Sequence, residues 1–275
     1  MRDFKQLLEA QWAQNKFVCV GLDSEASKIP ESVKGKDTAT RVFSFNKSIV
    51  DATKDIVLAY KANSAFYEAL RERGMRTLYE TVAYINTVAP QVPVILDAKR
   101  GDIGNTNNGY VSMAFDYLEV DAITVQPYLG REALQPFLDR KEKGIIVLVK
   151  TSNPGAGELQ DLKLDGRPLY EHVAERVAKE WDANGNCAVV VGATYPEELK
   201  RVREIVGDMP ILIPGIGVQG GDVQATVEAG IDSRGWGIVI NSSRGILYAS
   251  NGADFAEAAR RKTIELNDMI NKYRK

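Results

Sequence analysis

The chain has 275 residues, 44% of them hydrophobic and 26% charged, with 35 basic against 37 acidic side chains and a net charge of −2. That is enough apolar material for a sizeable core, and the balanced charge leaves no broad nucleic-acid footprint. No apolar run approaches the roughly 18 residues of a membrane span. "MRDFKQLLEAQWAQNKF" carries charges throughout and lacks an apolar stretch, so it is not expected to be a signal peptide. The two cysteines, Cys19 and Cys187, lie inside apolar runs, which fits packing residues in a reducing cytoplasm. His172 is the only histidine and sits in a helical pattern, with no partners for a zinc site or a catalytic triad.

In chain order, short apolar runs alternate with amphipathic segments. The first strand is predicted at "FVCVGLD" (17–23). A helix follows in "TATRVFSFNKSIVDAT", with Val42, Phe45, Ile49 and Val50 on one face. "IVLAYKAN" (56–63) is the second strand. "GMRTLYETVAYINTVAP" is the next helix, turning Leu78, Val82 and Ile85 inward and stopping before Pro90. Strands are predicted at "VPVILDAK" (92–99), "AITVQPY" (122–128) and "GIIVLVKTS" (144–152). The stretch 152–167, "SNPGAGELQDLKLDGR", reads as the longest irregular segment; long loops of this kind in compact domains are usually functional, and it is the candidate lid. "RPLYEHVAERVAKEW" has helical periodicity, and "CAVVVGAT" (187–194) is the sixth strand. "YPEELKRVREIVG" has proline near its start and glycine at its end, as helices prefer. "ILIPGIG" (211–217) and "GIVINSS" (237–243) are the last two strands, and "DFAEAARRKTIELNDMINKYRK" is a closing helix.

The strands are near-continuously apolar rather than alternating, which suits parallel strands covered on both faces. Eight of them alternating with helices predict an α/β protein, a single-domain (β/α)₈ TIM barrel over residues 1–275. A doubly wound open sheet usually has fewer strands and a glycine-rich dinucleotide turn after the first. Here the first strand runs into "GLDSEASKIP", without that turn.

Barrel active sites lie at the C-terminal ends of the strands. The first strand ends in Asp23, the second in Lys61 and Asn63, the third in Asp97 and Lys99, the fourth in Gln126, and the fifth in Lys150, Thr151 and Ser152. Asp97 and Lys99 are two residues apart, so strand periodicity puts them on one face, as it does Lys61 and Asn63. Asp102 follows on the loop that opens the next helix. Confining such charges is costly unless each has opposite neighbours. Two aspartates flanking Lys99 keep it protonated, which argues for an acid and against a Schiff-base nucleophile.

After the seventh strand, "PGIGVQGGDVQATVEAG" puts glycines before a helix; after the eighth, "INSSRGI" supplies Arg244. Glycines let backbone N–H groups approach an anion, and these two loops are a frequent phosphate site in barrels. Arg244 can grip phosphate with two donors at once. The expected ligand is a phosphomonoester whose reacting part lies over the Asp/Lys cluster.

With these residues in place, "LDAKRGDIGNT" resembles the signature of the orotidine 5′-monophosphate decarboxylases, Asp-x-Lys-x-x-Asp-Ile-Gly-x-Thr. "YKANSAFYE" and "KTSNPGAGELQDL" are similar to the longer bacterial class, and the likeness spans essentially the whole chain. It implies a homodimeric barrel acting on a small nucleotide, with no metal and no organic cofactor; the charge balance and short apolar runs already argue for no nucleic-acid or membrane partner, and the cysteines for a cytoplasmic protein. It implies that Lys61, Asp97 and Lys99 form the charged network of one subunit, completed by Asp102, Ile103 and Thr106 from the other. It implies that Asp23 holds a ribose hydroxyl and Ser152 the pyrimidine. Gln219 and Arg244 are implied as phosphate ligands, with the backbone N–H groups of Gly217 and Ser243 nearby. Asn63 is counted with the substrate-facing residues, and Arg100 as a structural or dimer-contact residue.

Two other readings share parts of this pattern. The related keto-gulonate phosphate decarboxylases have the same Asp-x-Lys-x-x-Asp frame but use Mg²⁺, with a metal-binding Glu on the second strand where this chain has Lys61. A non-catalytic phosphate-binding barrel would need the phosphate grip without Lys99 between two carboxylates.

Overall fold

A computed structural model of the chain describes residues 2–216 and 222–274. Eight parallel strands close into a barrel: β1 (Val18–Gly21), β2 (Ala59–Asn63), β3 (Val94–Arg100), β4 (Ala122–Val125), β5 (Gly144–Lys150), β6 (Cys187–Val191), β7 (Ile211–Pro214) and β8 (Ile238–Ser242). Each pairs with its sequence neighbours, and β1 closes on β8 with Val18 opposite Ile240 and Val20 opposite Ser242. All eight predicted runs are strands. β1, β4, β6 and β8 are buried at every position, as the continuous apolar runs require once helices cover the outside and side chains fill the inside.

The helices lie where the apolar spacing puts them. Thr38–Thr53 buries Val42, Phe45, Ile49 and Val50, and starts where the Asp37 carboxylate accepts the Thr40 N–H. Arg71–Val88 buries Leu78, Val82 and Ile85. Pro196–Val206 ends at Gly207, whose φ of +59° suits a residue without Cβ. Phe255–Tyr273 is the closing helix.

The helix Phe4–Trp12 packs across the N-terminal ends of the strands. The Trp12 indole N–H donates to the Ile238 carbonyl at 2.9 Å, and the Phe4 ring lies where a Cβ on Gly144 would stand, 2.2 Å away. Asp121, fully buried just before β4, accepts from Arg2 Nε (2.8 Å), from Arg2 Nη2 (2.7 Å) and from the Val94 N–H (2.8 Å) that opens β3. This end of the barrel is therefore closed and held, and the strands are free to splay functional groups at the other.

Segment 152–167, expected to be irregular, is instead ordered in short pieces. A 3₁₀ turn (Pro154–Ala156) runs into a helical turn (Gly157–Gln160), and Lys163–Leu164 pairs antiparallel with Arg167–Pro168. Two attachments explain it. The Lys150 ammonium, buried at the end of β5 with the Tyr170 and Tyr195 rings at 5.5 and 5.0 Å, pairs with Asp161. Gln160 accepts the Thr151 N–H and donates to its hydroxyl, both at 2.9 Å.

Replacing Asp121 with Ala is expected to lower stability by about 2–3 kcal/mol, because it strands a partly buried guanidinium and a buried N–H. Urea unfolding would read this as a lower midpoint at unchanged slope; an unchanged midpoint would mean that the lower end of the barrel is held by something else.

Candidate active site

A cleft of about 660 Å³ opens at the C-terminal mouth of the barrel. Residues from all eight strand ends reach it, among them Asp23, Lys61, Asp97, Lys99, Thr124 and Arg244. Its floor carries a row of alternating charge. Lys61 Nζ lies 3.3 Å from Asp23 Oδ1 and 3.2 Å from Asp97 Oδ2, and Lys99 Nζ lies 2.7 Å from Asp97 Oδ1. Lys61 is only 3% exposed.

The strands dictate this meeting. Gly21 on β1 stands opposite Lys61 on β2, and the Leu22 N–H donates to the Lys61 carbonyl at 2.7 Å, so the ladder carries on until Asp23 sits beside the ammonium. The Ser243 hydroxyl donates to Asp23 Oδ2 at 2.7 Å. It reaches across Gly21, where a Cβ would lie 1.9 Å from the Ser243 oxygen, so only glycine admits the contact. Asn63 completes the holding: its N–H donates to Asp23 Oδ1 at 3.1 Å and its side-chain amide to Asp97 Oδ2 at 3.3 Å. Its own carbonyl oxygen accepts the Ala65 N–H, capping the next helical turn.

Burial opposes the Lys61 charge, but the Asp23 and Asp97 carboxylates outweigh it and hold its pKa above the ordinary lysine value. Burial likewise opposes the Asp97 charge. The Lys61 and Lys99 ammonium groups and the Thr124 hydroxyl overcome it, so the carboxyl is held well below the usual carboxylate range. Cys19 lies under this floor, where burial pushes its thiol up to about 12 and keeps it unreactive.

Asp97 and Lys99 do meet, but not by simple alternation. Leu96 pairs with Ile123 and Arg100 with Val125, so Asp97, Ala98 and Lys99 together face the single residue Thr124. Within this bulge Lys99 takes a φ of +48°, a left-handed conformation that is rare and costly outside glycine. Its N–H donates to Thr124 Oγ1 at 2.9 Å. Arg100 turns away, pairing with Glu68 and stacking 5.2 Å over the Tyr110 ring.

Asp102, Ile103 and Thr106 do not line this cleft. Asp102 caps its own loop, accepting the Ile103 N–H at 2.6 Å, while Asn107 accepts the Asp102 N–H at 2.9 Å. Ile103 is 64% exposed. Ser152 lines the cleft beside Thr151 and Asn153, and Gly192 gives it room, since a Cβ there would lie 2.7 Å from that of Ser152. Arg244 and Gly245 line the opposite rim at the start of the helical turn Arg244–Leu247. Gly217 and Gln219 fall outside the described residues. The helix Val223–Gly230 is capped by its own Asp222, which accepts the Ala225 N–H at 3.2 Å. His172 lies away from the cleft, with Nε2 2.9 Å from the Leu164 carbonyl. Among the described residues, no three His, Cys, Asp or Glu side chains are grouped to hold a metal ion, and no helix is long and apolar enough to cross a membrane.

Residues 16–259 match the family model described as orotidine 5′-phosphate decarboxylase / HUMPS family. Over 274 residues the chain is 50% identical to an orotidine 5′-phosphate decarboxylase of Ralstonia pickettii (strain 12J), covering 100% of both chains. Among solved structures, the OMP decarboxylase of Leishmania donovani superimposes with a TM-score of 0.84 at 38% identity, over 98% of this chain and 99% of that one. The UMP synthase of the same organism gives a TM-score of 0.88 at 40% identity, over 100% of this chain and 57% of that one.

Because the folded state holds the Asp97 carboxyl below its ordinary value, its charge contributes stability above about pH 4, and that contribution is lost as the pH falls further. The stability gap between the wild type and Asp97→Asn is therefore expected to be flat from about pH 8 to 5 and to shrink on acidification below about pH 4. Urea titrations at each pH measure it; a gap that widens in acid would give the shift the opposite sign.

Proposed function

The chain belongs to the orotidine 5′-phosphate decarboxylase / HUMPS family and converts orotidine 5′-monophosphate to uridine 5′-monophosphate in pyrimidine biosynthesis; we propose that Lys99 is the acid of this reaction and Asp97 the group that faces the leaving carboxylate. The observation that carries the reading is the row Asp23, Lys61, Asp97, Lys99 on the cleft floor, with Lys99 Nζ 2.7 Å from Asp97. A phosphate-binding module has no use for two ammonium groups interleaved with two carboxylates.

The substrate carboxylate sits beside Asp97 and Lys99. The C6–carboxyl bond breaks, carbon dioxide leaves, and the electron pair remains on C6. The Lys99 ammonium stabilises that pair and transfers a proton to C6, and solvent restores the lysine proton. The catalysis is preorganised electrostatics with general acid assistance, since the charges are fixed before the substrate arrives. Lys61 fixes Asp97 and takes the place that a metal ligand holds in the Mg²⁺-dependent relatives.

Arg244 holds the phosphate, with Gln219 and the N–H groups of Gly217 and Ser243 as its further ligands. Asp23 takes a ribose hydroxyl and Ser152 the pyrimidine. The segment after β5 forms the lid, and closing it uses phosphate binding to raise the chemical rate. Asp102, Ile103 and Thr106 serve the neighbouring subunit of a homodimer. Their position outside their own cleft supports this, as does the apolar surface of Ile103, Tyr128 and Leu129 on the loops after β3 and β4. Two free, buried cysteines fit a reducing cytoplasm.

Purified protein is expected to turn over orotidine 5′-monophosphate equally well in EDTA, followed by loss of pyrimidine absorbance. Turnover abolished by EDTA would favour metal-dependent chemistry. Lys99→Ala should lower kcat by about 10³-fold or more with the fold intact by circular dichroism, and retained activity would remove Lys99 from its role. Shared sites give a second expectation: mixing the inactive Lys99→Ala and Asp102→Asn proteins should restore up to about a quarter of wild-type activity, because each mixed dimer has one intact site. No recovery after subunit exchange would place Asp102 outside the partner's site.

A further inference from the structure

The bulge in β3 sets three residues opposite one of β4 and includes the left-handed Lys99, and it carries both groups assigned to the chemistry. Thr124 is the one β4 residue opposite it: Leu96 and Arg100 take Ile123 and Val125 as partners, leaving three residues on one side and one on the other. In a regular parallel pair, the backbone of β4 would supply the acceptor for this part of β3. Here the Thr124 side chain supplies it. Its oxygen accepts the Lys99 N–H at 2.9 Å, and its hydroxyl proton goes to Asp97 Oδ1, also at 2.9 Å. The same Asp97 oxygen receives the Lys99 ammonium at 2.7 Å.

A closed ring results: Lys99 backbone, Thr124 hydroxyl, Asp97 carboxylate, Lys99 side chain. A hydroxyl is suited to the position because it accepts and donates from one atom. Asn or Gln uses different atoms for the two jobs, and Val performs neither. Thr124 is only 1% exposed, at the floor of the cleft.

We propose that Thr124 is a positioning residue of the decarboxylation, holding Lys99 in its left-handed conformation and aiming both its ammonium group and the Asp97 carboxylate at the reacting carbon. It acts through Lys99 and Asp97. Loss of its hydroxyl leaves the Lys99 N–H without an acceptor, removes one donor from Asp97, and lets the strained Lys99 backbone relax towards a commoner conformation. Displacements of about 1 Å at a reacting group cost up to about 100-fold in rate, so the consequence falls on the chemical step. The pyrimidine and phosphate contacts lie elsewhere in the cleft, and ground-state binding is little affected.

The inference rests on the functional reading above, and the test keeps the two apart. Thr124→Val preserves shape and removes the hydroxyl; Thr124→Ser preserves the hydroxyl and removes the methyl group. Thr124→Val is expected to lower kcat by at least about tenfold while KM changes by less than about threefold, and Thr124→Ser to stay within about threefold of wild type in both. Independently of turnover, amide hydrogen exchange at Lys99 should speed up by about tenfold or more in Thr124→Val and not in Thr124→Ser. A Thr124→Val protein with wild-type kcat and Lys99 protection overturns the proposal. So does a Thr124→Ser protein as impaired as Thr124→Val, which would make the methyl packing the cause. If Thr124→Val fails to fold, Thr124→Ser alone decides: preserved kcat and Lys99 protection support the proposal, and loss of either refutes it. A wild type inert towards orotidine 5′-monophosphate would overturn the functional reading, and the exchange comparison would still decide whether Thr124 holds Lys99.

Discussion

The mouth of the barrel depends on one buried cation. Lys61 is nearly inaccessible to water, and an isolated ammonium there would lose its proton or the fold would rearrange. Asp23 on one side and Asp97 on the other prevent both outcomes. The dependence is mutual, since two carboxylates this close to a common point would repel if Lys61 were apolar. Much of the neighbouring sequence serves that triad. Gly21 has no Cβ, so Ser243 can reach Asp23, and Asn63 donates to both carboxylates from two different atoms. Lys99 then joins a carboxylate that is already fixed.

The two ends of the barrel divide the labour. At the N-terminal ends of the strands, Arg2, Phe4 and Trp12 fill and bond the openings, with Asp121 fixing where β3 begins. The same strand ends in the bulge that bears Asp97 and Lys99. A strand anchored at its start can carry irregular backbone at its end, because the intervening residues, Val94 to Leu96, are buried and in register with β2. The strain at Lys99 is thereby confined to the residues that use it.

The barrel was legible because its strands are buried on both faces and its helices on one, and both patterns survive in the order of apolar residues. The charged floor was legible too: Asp23, Lys61, Asp97 and Lys99 each terminate a strand, and strand ends converge in a closed barrel. Other features depended on information that periodicity does not carry. The bulge breaks the strand period of two between Asp97 and Lys99, so the two groups meet through an unusual backbone instead. The Ser243 hydroxyl also holds Asp23, a contact between the ends of β8 and β1 that neither strand's own pattern reveals. The Asn63 side chain donates to Asp97 and accepts the Ala65 N–H of the following helical turn, two contacts that a strand period does not reveal. The hairpin after β5 carries a turn signal in its sequence. Asp165 and Gly166, with φ of +51° and +80°, form the Asp-Gly turn that joins short antiparallel strands.

The low pKa of Asp97 connects the buried Lys61 to the chemistry. In the proposed mechanism, a substrate carboxylate arriving beside Asp97 meets a negative charge. In most sites the protein would relieve that repulsion by taking up a proton. Asp97 resists, because two ammonium groups and the Thr124 hydroxyl stabilise its charged form. The repulsion therefore stays in the bound state and disappears only when the substrate carboxylate becomes carbon dioxide. On the same proposal the negative charge moves towards C6 over this step, and Lys99, at the exposed end of the row, stabilises it. One term weakens and the other strengthens as the reaction proceeds, so both favour the transition state over the ground state. On this proposal Lys61 keeps Asp97 charged, and a residue that never touches the reacting carbon sets the field in which it reacts.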